Sequence, residues 1–143
     1  DFFTGPGQSV LENGELLLAV HLPTPVANSG AFFLRFIPRN EMDIAVANAA
    51  VSVVLNVDKT IIESAKVAIG AVAPTPLLVA DAGAALTGKS VDDEDAIEAA
   101  CAASRAAANP ITDMRGTIEQ RIHLSGVLTR RAIEGAVQRA KES

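Results

Sequence analysis

The chain has 143 residues, 49% of them hydrophobic and 20% charged, which gives room for one folded domain and argues against an intrinsically disordered chain. Its formal net charge of −5, without any run of Lys and Arg, argues against a nucleic-acid-binding surface. Trp and Tyr are absent and all five Phe lie between Phe2 and Phe36, so the core must consist mainly of aliphatic side chains and alanine.

The first half of the chain predicts an antiparallel sheet. Phe2–Gly14 is rich in turn-forming residues and indicates an entering loop. A short helical turn is predicted from Asp43 to about Asn48, with Asp43 as its cap. Alternating or β-branched apolar runs predict strands, the last of which is ended by Pro74. The predicted strands are Glu15–Leu22, Ala31–Ile37, Ala50–Val57 and Thr60–Ala73.

The second half predicts about three helices. A short one is expected over Leu77–Leu86 and is followed by Gly88, and the next is capped by Ser90 and runs through Ala108. The last runs from Thr117 to about Lys141. Its 3.6-residue pattern predicts an apolar face of Ile118, Ile122, Ala132, Ile133, Ala136, Val137 and Ala140. Strands first and helices last predict an α+β fold, with an antiparallel sheet of three to four strands packed on the helices.

A search for catalytic constellations finds none. His21 and His123 lack partners at metal-ligand spacing, and the acidic run Asp92–Asp95 is explained by the start of a helix. The glycines near Gly5 match neither a dinucleotide-binding nor a P-loop pattern. Cys101, the single cysteine, is expected to be a small buried side chain. These residues predict a domain without its own catalytic centre or metal site, and a cytoplasmic location is the default expectation.

Two positions stand out on the predicted sheet. Leu17 and Arg35 lie on neighbouring predicted strands, each on the face that has polar residues. An arginine between Phe33 and Ile37 is either a surface residue with an extended side chain or a contact for an anion or phosphate ester. The sequence pattern leaves both interpretations open.

Five groups of short segments, in order along almost the whole chain, resemble one known family. They are Phe2–Gly5 with Glu15–Leu17 and Pro23; Arg39 with Met42–Ala45; Ala68–Pro76; Leu86–Lys89; and Pro110 with Asp113–Gly116 and Val127–Ala132. Together they resemble the C-terminal domain of the FAD-carrying, or medium, subunit of molybdenum hydroxylases. This is the xanthine dehydrogenase and aerobic CO dehydrogenase family.

The resemblance implies that residues 1–14 are the tail of a preceding FAD-binding domain with its linker, and that 15–143 form the flavoprotein C-terminal domain. It implies an oxidoreductase subunit that passes electrons from [2Fe-2S] clusters on a small subunit to FAD and an external acceptor. A large molybdenum-binding subunit with molybdopterin would hydroxylate a small substrate, in a dimer of heterotrimers without nucleic acid or a membrane span. The alternative is a non-catalytic assembly domain without flavin.

The resemblance also implies positions near the cofactor, although most FAD contacts would come from the preceding domain. Leu17 matches an apolar residue against FAD, and Arg35 matches a basic residue near it. The Arg39–Asp43 segment, with Met42 and Asp43, matches a loop close to the isoalloxazine ring. One departure is Ile118–Arg121, where the family commonly has Ala-Glu-Tyr-Arg; such departures blur the subfamily.

Overall fold

Residues 2–39 and 42–143, which a computed structural model describes, form strands followed by helices. The elements in chain order are β1 (Phe3–Gly5), β2 (Gln8–Ser9), β3 (Ser29–Phe36), β4 (Ala47–Leu55), β5 (Ile62–Gly70), β6 (Leu77–Leu78), α1 (Ala80–Leu86), α2 (Glu94–Ala107) and α3 (Ile118–Glu142). Strands β3 to β6 form an antiparallel sheet in that order, while β1 and β2 pair within the segment predicted as an entering loop. The predicted α+β architecture is confirmed.

One face of the sheet is covered by helices and the other is open. Every second side chain of β4 is buried, from Ala47 to Leu55, because strand residues alternate between the two faces. Helix α3 lies over β3 and β4, α1 lies over β5, and α2 packs against the other two helices. The core is built from Val, Ile, Leu and Ala, with Cys101 buried among them. No helix within the described ranges is long and apolar enough to cross a lipid bilayer.

Side-chain caps fix where the two long helices begin. At the start of α2 the carboxylate of Asp93 accepts a 3.0 Å hydrogen bond from the amide of Ala96. At the start of α3 the hydroxyl of Thr117 accepts a 3.2 Å hydrogen bond from the amide of Gln120. The predicted start at Thr117 is therefore confirmed. The predicted cap Ser90 is wrong, because Asp93 occupies the capping position.

The predicted strand over Glu15–Leu22 is wrong. This segment has no ladder partner among the described residues. A strand needs a neighbouring backbone to bond its amides and carbonyls, and alternation alone cannot supply one. The apolar side chains that were expected to share a face are 74 to 91% exposed at Leu16, Leu18, Val20 and Leu22.

Two shorter elements also differ from their predictions. The helical turn from Asp43 to Asn48 is wrong, because β4 already begins at Ala47 and the Asp43 carboxylate instead accepts a 2.9 Å bond from the amide of Ile44. The helix predicted from Leu77 begins only at Ala80, since Leu77 and Leu78 pair with β5 as strand β6.

The buried face of α3 differs from its prediction in the first two turns. Ile118 is 40% exposed and Ile122 is half-buried, whereas Arg121 is 5% exposed and Ser125 is fully buried. The predicted face is confirmed further along, where Ala132, Ile133, Ala136, Val137 and Ala140 are buried. A buried guanidinium is tolerated in the first turns because a carboxylate and two backbone carbonyls accept its hydrogen bonds.

Candidate functional site

The open face of the sheet presents three neighbouring rows of side chains that cross the strands in register. The first row is polar and contains Arg35, Asn48 and Gly70. The second row is apolar and the third is mainly polar. Their members are Phe33, Ala50, Ala68 and Leu78 in the second row, and Ala31, Ser52 and Lys66 in the third. Because neighbouring strands lie about 4.8 Å apart, the longest row crosses the sheet in roughly 15 Å.

The first row places a cation and an amide side by side. Arg35 is exposed on the open face, and within residues 2–39 and 42–143 no carboxylate pairs with its guanidinium. The amide of Asn48 lies over Gly70, where a Cβ atom would come within 2.6 Å of Asn48 Oδ1. Glycine at this position therefore makes room for the amide, and the row offers hydrogen-bond donors to a ligand on the open face.

A groove of about 430 Å³ runs over the second and third rows. Its charged lining residues in the described chain are Lys66 and Arg139, and Phe33 beside it is 57% exposed. Arg139 reaches around the edge of β3, donates a 2.8 Å hydrogen bond to the carbonyl of Ala31 and stacks 4.5 Å from the ring of Phe32. The open face can therefore receive a flat apolar group with oxygen atoms or negative charge at its rim.

The connection between β3 and β4 contains the second group of predicted site residues. Arg39 together with Met42–Ala45 is called the Asp43 loop below. Asn40 and Glu41, which belong to the predicted Arg39–Asp43 segment, lie outside the described residues. The loop is closed at its base by a 2.9 Å hydrogen bond from the amide of Val46 to the carbonyl of Phe36.

The Asp43 loop holds one residue outward and one inward. Met42 has a φ of 50°, in the left-handed region that β-carbon-bearing residues seldom adopt, and its side chain is 96% exposed. Its carbonyl accepts a 3.3 Å hydrogen bond from Arg39 Nη2. Asp43 points inward, with its side chain 9% exposed and Oδ2 at 3.5 Å from Arg39 Nε. Met42 is therefore exposed on a loop whose backbone and Asp43 side chain are bound by Arg39.

A chain of ion pairs links the Asp43 loop to α3. Arg115 Nε lies 3.9 Å from Asp43 Oδ1, and Arg115 Nη1 lies 3.9 Å from Asp113 Oδ2. The amide of Arg115 and Nη2 of Arg121 donate to Asp113 Oδ1 at 2.8 and 2.6 Å. These two donors, the Arg115 amide first, hold the pKa of Asp113 below its ordinary value. Asp113 is therefore a carboxylate at neutral pH, as the chain of ion pairs requires.

The structure brings together some of the predicted site residues and separates another. Met42 and Asp43 lie in one loop, and Arg35 lies on the strand that leads into it. Leu17 lies on an irregular segment, 57% exposed, and not on a strand beside Arg35 as predicted. The open face beside Arg35 is thus formed without a ladder from the Leu17 segment, because that segment pairs with no described strand.

Sequence reasoning missed the importance of Arg121 and Asp113. Both belong to segments that were recognised only as family-like strings, and neither was assigned a contact. No local signal in the sequence indicates the burial of Arg121, because the acceptors of its guanidinium come from Val46, Ala71 and Asp113. Among the described residues, no group of three or more His, Cys, Asp or Glu side chains is placed to hold a metal ion.

Comparisons with known proteins agree with the family resemblance of the sequence. The model of the CO dehydrogenase flavoprotein C-terminal domain family matches residues 32–136, which include β4 to β6, α1, α2 and most of β3 and α3. The carbon monoxide dehydrogenase medium chain of Afipia carboxidovorans is 36% identical over 141 residues, covering 99% of this chain and 48% of that protein. The putative xanthine dehydrogenase FAD-binding subunit of Escherichia coli K12 is 29% identical over 140 residues, covering 97% and 47%.

A solved structure gives the same result for the fold. The cyanide-inactivated form of the Cu,Mo-CO dehydrogenase superposes with a TM-score of 0.90 at 34% sequence identity, covering 97% of this chain and 47% of that one. The chain therefore spans about half the length of the relatives that it matches.

Proposed function

Because the chain belongs to the CO dehydrogenase flavoprotein C-terminal domain family, we propose that it is the C-terminal domain of the FAD-carrying subunit of a molybdenum hydroxylase. Residues 15–143 would be this domain, and 1–14 the tail of a preceding FAD-binding domain with its linker. The relatives named as a medium chain and as FAD-binding subunits of oxidoreductases support this role. The substrate of the whole enzyme would be chosen by another subunit.

The single observation that carries the proposal is the exposed Arg35 beside an apolar row, inside the segment that matches the family. A flavin ring is flat and largely apolar, with carbonyl oxygens and ring nitrogens along one edge. The residues present fit that edge, because Arg35 offers donors next to Asn48, and the row that starts at Phe33 offers an apolar surface. They do not fit a pyrophosphate, since the glycine-rich loops for it are absent from this chain.

FAD bound here would supply electron exchange between iron–sulfur clusters and an external acceptor. The residues of this chain would have simpler roles. Arg35 would donate hydrogen bonds to the ring edge and favour negative charge that develops there. Leu17 and Met42 would cover apolar parts of the ring, and Asp43 would orient the loop that presents Met42.

The partners follow from the same assignment. Small and large subunits would hold the [2Fe-2S] clusters and the molybdopterin, and the complete enzyme would be a dimer of heterotrimers. The alternative of an assembly domain without flavin has some support in the exposed apolar segment Leu16–Leu22. The two proposals differ in one observable, which is bound flavin in the full-length subunit.

The test is the FAD content of the full-length subunit with Arg35→Ala. We expect fewer moles of FAD per subunit, because the ring loses a charged donor, and partial recovery with Arg35→Lys. Arg131→Ala is the matched control, since it removes an exposed arginine from α3, which covers the opposite face of the sheet. Unchanged FAD content in Arg35→Ala would contradict the site, and a wild-type subunit without flavin would favour the assembly domain.

A further inference from the structure

Segments from four places in the sequence meet at one chain of charges. The Asp43 loop contributes its carboxylate, and Asp113 and Arg115 come from the connection between α2 and α3. Arg121 comes from α3 and donates to the carbonyls of Val46, before β4, and of Ala71, after β5, at 2.8 and 3.2 Å. These contacts join three connections between elements to one buried guanidinium. Together these contacts connect the Asp43 loop to the rest of the fold.

We propose that Arg115 is a positioning residue that sets the conformation of the Asp43 loop by acting on Asp43. The proposal rests on the proposed function, because it takes the loop to border the bound flavin. Among the described residues, Arg115 belongs neither to the three rows of the open face nor to the lining of the groove over them. It acts through Asp43, while Asp113 and Arg121 hold Arg115 in place.

Burial explains why Arg115 matters more to Asp43 than Arg39 does. The Asp43 side chain is 9% exposed, so its charge needs nearby partners to offset desolvation. Arg39 is 73% exposed, so water screens its interaction with Asp43, whereas Arg115 is only 33% exposed and its interaction is screened less. Removal of Arg115 leaves a nearly buried carboxylate with an exposed partner.

The backbone of the loop gives this charge a conformational consequence. Met42 is held at a positive φ, which costs about 1 kcal/mol or more for a residue with a β-carbon. The residue after it, Asp43, accepts the Ile44 amide at 2.9 Å on the same Oδ1 that faces Arg115. When Asp43 turns outward, this hydrogen bond is lost and Met42 can leave the left-handed region.

Arg115 is itself anchored through its backbone. Its backbone amide donates to Asp113 at 2.8 Å, and Asp113 in turn is bound by the nearly buried Arg121. The guanidinium of Arg115 thus starts from a backbone that is fixed in the connection just before α3, and it extends toward the loop. Because its backbone is fixed, the Arg115 guanidinium limits where the Asp43 carboxylate can lie, in addition to neutralising its charge.

The experiment uses the full-length subunit with Arg115→Gln, Asp43→Asn and the double variant. The first readout is hydrogen exchange at the amide of Ile44, which we expect to rise on the order of tenfold in Arg115→Gln. The second is the FAD dissociation rate, which we expect to rise roughly 2- to 30-fold. Arg115→Lys should recover part of both effects, and Arg131→Gln, an exposed change on α3, is the matched control.

The double variant tests the route through Asp43. If Arg115 acts through Asp43, the double variant behaves like Asp43→Asn alone, whereas independent structural roles would give additive effects. Unchanged Ile44 exchange in Arg115→Gln, or additive effects, overturns the proposal, and so does increased exchange without any change in FAD dissociation. A wild-type subunit without FAD refutes the proposed function instead, and Ile44 exchange then still decides whether Arg115 positions the loop.

Discussion

Nη2 of Arg121 lies 2.6 Å from Oδ1 of Asp113, and this pair joins the first turn of α3 to the connection that precedes it. The other terminal nitrogen of the same guanidinium donates to the carbonyls of Val46 and Ala71. Arg121 is 5% exposed, while its Nε–H has no hydrogen-bond partner in the described residues. One buried side chain therefore connects the entrance of β4, the exit of β5 and the start of α3.

Replacement of the Arg121 side chain tests how much it contributes to the stability of the fold. Arg121→Met keeps much of the apolar volume but leaves the Val46 and Ala71 carbonyls without their donor. Because an unsatisfied buried acceptor costs about 1–3 kcal/mol, we expect the free energy of unfolding to fall by about 2–4 kcal/mol. Urea unfolding measures the change, with Arg131→Met on the exposed side of α3 as the control. Equal stability of the two variants would show that the buried contacts contribute nothing.

Most of the fold could be predicted because its signals are local. The alternation in β4 and the capping hydroxyl of Thr117 both act within a few residues of where they stand. The predictions that failed concern features that depend on tertiary contacts. The Leu16–Leu22 run has the alternation of a strand, and only a neighbouring backbone could have made it one. Arg121 is buried because its acceptors come from residues 46 and 71, at distances in sequence that no local pattern reports.

The candidate site divides in the same way. Arg35 was placed on the correct face of its strand, since that face follows from the period of two. Met42 and Asp43 were named through a resemblance, while the residues that hold them were not. The contact of Arg115 with Asp43 becomes visible only when the β3–β4 connection and the α2–α3 connection are brought together.

The contact between β3 and α3 depends on a glycine in the helix. A Cβ atom at Gly135 would lie 2.6 Å from the ring of Phe32, which Arg139 flanks at 4.5 Å. We expect Gly135→Ala to be destabilising, because overpacking costs about 1–3 kcal/mol and helix propensity returns only about 1 kcal/mol. Thermal unfolding measures the balance.

A second glycine of α3 provides the matched control. A Cβ atom at Gly126 would meet the side chain of Arg105, which is 34% exposed and can turn toward solvent. Gly126→Ala should therefore leave the melting temperature nearly unchanged or raise it slightly. If both substitutions lowered the melting temperature equally, the effect would come from the helix backbone and not from contact with the Phe32 ring.

Cys101 offers a probe of the core. Its side chain is 1% exposed, and burial raises the pKa of its thiol, so both access and thiolate formation oppose reaction. We expect a thiol-reactive dye to label the native protein about a thousandfold or more slowly than the urea-unfolded protein. Cys101 is the single cysteine of these 143 residues, so mass mapping of the labelled peptide that contains it reports this site. Fast labelling without denaturant would contradict the packing of α2 against the core.

The charge of Asp113 gives the structure a pH dependence with a definite sign. Its pKa is lowered in the folded state, by the Arg115 amide first and the Arg121 guanidinium next. A group of this kind stabilises the fold above its unfolded pKa of about 3.9, and the stabilisation is lost as the pH falls through the folded value. Asp113→Asn should therefore lower the melting temperature at neutral pH, and the difference from wild type should shrink below about pH 4. Asp58→Asn, at an exposed hairpin turn, is the control for loss of one carboxylate. A difference that stays constant from neutral to acid pH would mean that Asp113 stabilises the fold through its shape and hydrogen bonds, and not through its charge.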